Sequence, residues 1–303
     1  MDLSQQPRLR AASRLSAATV AQPLAHAPSA TVTAARRLNR AAGMLAGSVL
    51  LDSAMEHYRG QFHNRAMWAP LVTSSLSIAA SLHGHTDHRH GAHRVRDLVY
   101  AAAGLVGLVG TGFHLYNVTK QVGGFSWQNV FYRAPLGAPA AMSLSGLVGF
   151  LSERLRDNRP GRAPVIAGVD AGRVVAGLTG ASLLGTTAEA GLLHFRGAFH
   201  NPAMILPVTM PPIAAALLAR AAVAPRGVQR PASRRWLAAT AVMGVAGVAL
   251  HAYGVSRGMG GWRNWRQNAF SGPPVPAPPA FTGLALAGLA ALAMLAERRD
   301  DQS

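Results

Sequence analysis

The chain has 303 residues, half of them hydrophobic and only 14% charged, with a net charge of +17 and no cysteine. That is too little charge for an ordinary soluble domain of this length, and the missing cysteine excludes disulfides, thiolate metal sites and cysteine nucleophiles. Only Lys120 among the 29 basic residues is a lysine, and no basic helix interleaved with aromatics accompanies the arginines, so nucleic acid is not an expected partner.

Residues 1–38 are rich in Ala, Ser, Arg and Pro without sustained apolar periodicity, and are expected to form a disordered extension. Apolar stretches then recur at about 42–58, 66–82, 98–118, 138–152, 173–195, 203–224, 236–256 and 279–296. The third, LVYAAAGLVGLVGTGFHLYNV, has 21 residues and no formal charge, the length that spans a bilayer core. WLAATAVMGVAGVALHAYGV, at 236–255, matches it. The first stretch carries Asp52 and Glu56, and the sixth holds Pro207, Pro211 and Pro212. A membrane helix tolerates such prolines when its neighbours satisfy the freed carbonyls. The expected fold class is an all-α membrane protein with eight transmembrane helices. The soluble alternative is an Ala-rich bundle.

With the N-terminus in the cytoplasm, the extension, the even-numbered loops and the tail hold 21 Arg/Lys against 8 in the odd-numbered loops. The positive-inside rule predicts that bias. It places both termini on the cytoplasmic side of a bacterial inner membrane, with 299–303 as a short tail.

Two strings repeat: HYRGQFHNRAM (57–67) and HFRGAFHNPAM (194–204), 137 positions apart. At the same offset His114 matches His251, Tyr116 matches Tyr253, and Asp52 matches Glu189. FSWQNVF (125–131) resembles WRNWRQNAF (262–270) after a two-residue insertion. The chain therefore divides into two four-helix repeats, 39–160 and 161–298. An even number of spans per unit makes the repeats parallel.

His57, His114, His194 and His251 each fall near the outer end of an odd-numbered span, where aromatics also gather. Imidazole suits Fe, Cu and Zn, and paired histidines on neighbouring helices hold b-type haem in bundles. The four are candidate cofactor ligands, for haem b or a histidine-bound transition metal. His57 with His63, and His194 with His200, are candidate metal pairs, with Asp52, Glu56 and Glu189 as supporting partners that fix the ring tautomers. The competing explanation of the string is a helix stop: Gly60 and Gly197 take the left-handed position, Asn64 or Asn201 caps the next helix, and Pro202 occupies its first turn. Arg59 and Arg196 complete this outer motif.

HGHTDHRHGAH (83–93) has five histidines in eleven positions and no counterpart in the second half. By composition it is a metal-binding tract; a solvated low-complexity loop is the plainer expectation. Three functions remain open: a redox subunit with a membrane or periplasmic partner, a transporter or channel lined by Asp52, Glu189, Arg59 and Arg196, and a bilayer anchor for a periplasmic protein.

Overall fold

The computed structural model describes residues 29–133, 136–159 and 163–297. Most of the expected extension and the tail lie outside them. Ten helices occupy the described residues: α1 (Ala30–Arg59), α2 (Ala69–Thr86), α3 (Arg94–Thr119), α4 (Trp127–Arg133), α5 (Gly137–Arg156), α6 (Ala171–Arg196), α7 (Leu206–Val223), α8 (Pro231–Ser256), α9 (Trp265–Ser271) and α10 (Pro279–Ala296). A two-residue antiparallel hairpin, Val165–Ile166 with Val169–Asp170, links the halves.

The all-helical class holds. Of the eight expected spans, four are long and apolar enough to cross a membrane: α3, α7 with the turn before it, α8 and α10. The other long helices carry more polar residues. α1 holds Arg36, Arg37, Arg40, Asp52 and Glu56, and α2 holds a row of serines.

α1 starts earlier than the sequence reading placed it. Ser29 caps it by accepting from the Val32 N–H, and Val32, Ala34, Ala35 and Leu38 are buried. The three arginines interrupt the linear apolar pattern, but in a helix Arg37 and Arg40 fall on an exposed face while these small residues pack inward. α4 and α9 were not expected. Both lie in the connections that follow α3 and α8 and are too short to stand out by periodicity.

The two halves pack alike. α1 lies against α2 and α5, and α5 against α3; α6 lies against α7 and α10, and α10 against α8. Small residues permit the close crossings. A Cβ on Gly107 would collide with Ser143, and one on Gly244 with Thr282 at the equivalent crossing. Between the halves, α1 runs along α10, whereas α5 and α6 barely touch. α10 is buried from Phe281 to Leu295 as the centre of the core. The outer helices expose Leu98, Leu105, Leu108, Val109, Val242 and Val245, a larger apolar surface than water favours.

Candidate functional site

The repeated string folds twice into the same turn. Helices α1 and α6 stop at Gly60 and Gly197, whose N–H groups donate to Glu56 and Leu193 carbonyls. These glycines are not left-handed, with φ of −79° and −84°. The left-handed residues are the next two, Gln61 and Phe62 in one copy and Ala198 and Phe199 in the other. A Cβ at these glycines would meet the flexible Met67 methyl at 2.9 Å and the Met204 methyl at 3.1 Å. Asn64 and Asn201 do cap, accepting from the Ala66 and Ala203 N–H groups at 2.9 Å. Phe62, held in a conformation unfavourable for a bulky side chain, stacks on Trp68 with centroids 4.4 Å apart.

The histidines of the string bind backbone. His57 Nδ1 lies 2.6 Å from the Met67 carbonyl and His194 Nδ1 lies 2.8 Å from the Met204 carbonyl. Each ring thus ties the end of one helix to the start of the next. His63 and His200 are exposed and bond the Gly60 and Gly197 carbonyls, so they turn back on their own loops. Among the described residues no three His, Asp or Glu side chains converge as a metal site. Of the expected carboxylate partners, Glu56 pairs with Arg59 at 2.8 Å; the groups bonded to Nδ1 of His57 and His194 are carbonyls. The third and seventh expected spans deliver their histidines to the same level. His251 Nδ1 meets the Pro274 carbonyl at 2.8 Å and its ring centroid lies 6.5 Å from that of His194. His114 lies within electrostatic reach of His57.

Asp52 and Glu189, one from each half, lie within electrostatic reach of each other, and Glu56 also acts on Asp52. The Asp52 charge acts on Glu189, and the Gly137 N–H at the start of α5 bonds the Glu189 carboxylate. No basic side chain forms an ion pair with either among the described residues.

A second polar centre lies at the opposite end of the first half. Arg96 Nε and Nη2 donate to the two Glu153 oxygens at 2.8 and 3.0 Å, and Nη1 donates to Asp87 at 2.8 Å. Arg156 donates to the carbonyls of Gly84, Asp87 and Arg89 at 2.6, 3.1 and 2.9 Å. The Asn39 amide lies 3.0 Å from the Tyr100 hydroxyl and 2.7 Å from that of Ser152. Arg96, Glu153 and Arg156 are at most 1% exposed.

The second half holds this place with hydrocarbon. The helix crossings Gly107–Ser143 and Gly244–Thr282 align α3 with α8 and α5 with α10. On that alignment Tyr100 corresponds to Leu237, Ser152 to Ala291, Glu153 to Leu292 and Arg156 to Leu295, while Asn39 corresponds to Ala176; these five second-half residues are buried core. Sequence reasoning missed this centre. Its signal is the contrast between copies, charged in one and apolar in the other, at the ends of spans.

No known family model matches the chain, and neither does any curated protein or solved structure.

Proposed function

We propose that the chain spans a bacterial cytoplasmic membrane eight times, as two parallel repeats with both termini inside, and that it moves a small cation across. The observation that carries this reading is the Asp52–Glu189 pair. Two carboxylates within spans, in electrostatic reach of each other and without an ion-paired basic partner among the described residues, need a proton or a cation to neutralise them in a medium of low dielectric. They sit where the two halves meet, as substrate sites do in repeat-built transporters. The weak contact between α5 and α6 leaves the junction less tightly closed on that side than along α1 and α10. Purified chain in proteoliposomes should pass H+, Na+ or K+ down an imposed gradient. Asp52→Asn and Glu189→Gln should each cut that flux at least tenfold. Liposomes tight to all three ions would contradict the reading.

A second reading, a redox subunit holding haem b or a metal for a membrane or periplasmic partner, draws on His194 and His251. Two imidazoles bound on opposite sides of one ion, each nitrogen about 2.0–2.1 Å from it, have centroids about 6.3 Å apart, near the 6.5 Å observed. Fixing Nδ1 on a carbonyl leaves Nε2 for the ion. A Soret band that His251→Ala abolishes would favour this reading; a colourless protein would remove it.

A further inference from the structure

The polar centre of the first half does one visible thing: it fixes the histidine-rich segment. Arg156 binds the Gly84, Asp87 and Arg89 carbonyls, and its own carbonyl accepts from the Gly91 N–H at 2.9 Å. Glu153 accepts from the His93 N–H at 2.9 Å and Asp157 from the Ala92 N–H at 2.7 Å. Arg36 reaches across from α1 to the His85 carbonyl. Seven of the ten residues from Gly84 to His93 are thus held through their backbone by groups on α1, on α5 and at the C-cap of α5.

The duplication serves as an internal control. The second half builds the same packing with Leu237, Leu292 and Leu295 in place of Tyr100, Glu153 and Arg156. Replacing buried ion pairs by apolar residues is often neutral or stabilising, so the fold itself does not require the charges. The second half ties its own loop with fewer groups, through the Gly227 N–H to the Leu295 carbonyl and through Arg226 to Asp170 and the Met294 carbonyl; the larger polar centre accompanies the histidine segment.

That fastening brings two histidines together. His83, in the last turn of α2, and His93, which precedes α3, have ring centroids 5.1 Å apart and planes at 85°. Both are exposed, and among the described residues no hydrogen bond engages a nitrogen of either ring. Two imidazoles sharing an ion at tetrahedral angle, each nitrogen about 2.0–2.1 Å from it, have centroids about 5.1 Å apart. We propose that His83 and His93 form a two-histidine site for a divalent transition-metal ion at the inner face, completed by water, with the Arg96–Glu153–Arg156 centre as its rigid base. The other three histidines of the segment are outside it. His85 Nδ1 is taken by Arg40 at 3.1 Å, His88 faces Arg36, and His90 is exposed. With no thiols in the chain, ions that favour imidazole and water, such as Zn2+ and Co2+, are the suited class.

The test is a titration of full-length protein in nanodiscs with Co2+, whose visible absorption intensifies on tetrahedral binding, competed by Zn2+. One saturable Co2+ per chain is expected at this segment. His83→Ala/His93→Ala should weaken it at least tenfold, and His88→Ala/His90→Ala should leave it within twofold. Arg156→Leu, which keeps every histidine but frees the loop and installs the second half's own residue, should weaken binding severalfold. No saturable absorption, or a site lost with His88 and His90 and kept without His83 and His93, would overturn the proposal.

Discussion

Asn64 and Asn201 do the same work 137 positions apart, so each should matter equally and independently. Removing either cap by substitution with Ala should cost about 1 kcal/mol, and the double variant about twice that, since distant sites add. Unfolding followed in detergent checks both. Asp87 carries a different expectation. Burial would raise its carboxyl, but the Arg89 N–H and the Arg96 guanidinium outweigh that and hold it below its ordinary value of 3.8. A carboxyl depressed by folding adds stability above its unfolded value and loses it as pH falls through the folded one. Hydrogen-exchange protection of residues 84–93 should therefore drop once the pH passes below the ordinary carboxyl value, and Asp87→Asn should lack that pH-dependent drop. Unchanged protection of the native loop through this range would contradict the assignment.

At the scale of elements, the two halves pose a contrast that mutation can read. Arg156→Leu alone orphans three carbonyls and leaves Glu153 and Arg96 in altered company; breaking a buried pair in this way costs about 3–5 kcal/mol. Installing the second half's residues together at Asn39, Tyr100, Ser152, Glu153 and Arg156, with Arg96→Ser (the residue at 233), should cost less than Arg156→Leu alone, because the Gly84, Asp87 and Arg89 carbonyls are orphaned in both variants but only the single one also leaves Glu153 and Arg96 as buried charges in a broken cluster. Thermal unfolding of both variants decides it; a combined variant less stable than the single one would show that the halves are not interchangeable. The sequence pattern located the long helices because each is an apolar run bounded by Gly, Pro or charge. It placed Asn64, Asn201 and Pro202 correctly, since capping chemistry is local. It could not show that His57 and His194 bond carbonyls ten residues on, nor that Arg96 and Glu153, 57 positions apart, meet. Long-range polar pairing leaves no periodicity, and a charge at the end of an apolar run is by default a solvated one.

For the whole molecule, the reading proposed above has eight crossings in two parallel units, with Asp52 and Glu189 at their junction and the histidine segment on the cytoplasmic side. Four helices meet the requirements for crossing by length and composition; the proposed reading adds α1, α2, α5 and α6. The absence of cysteine permits a direct measurement. Single cysteines would be placed at the matched positions Val122 and Met259, which are 99% and 90% exposed, and at Arg89 and Val228 in the loops after α2 and α7. Each would be treated in intact cells with a membrane-impermeant maleimide. The account predicts labelling of Val122→Cys and Met259→Cys from outside, and of Arg89→Cys and Val228→Cys only after the cells are opened. Matched positions labelled from opposite sides, or all four protected until lysis, would contradict it.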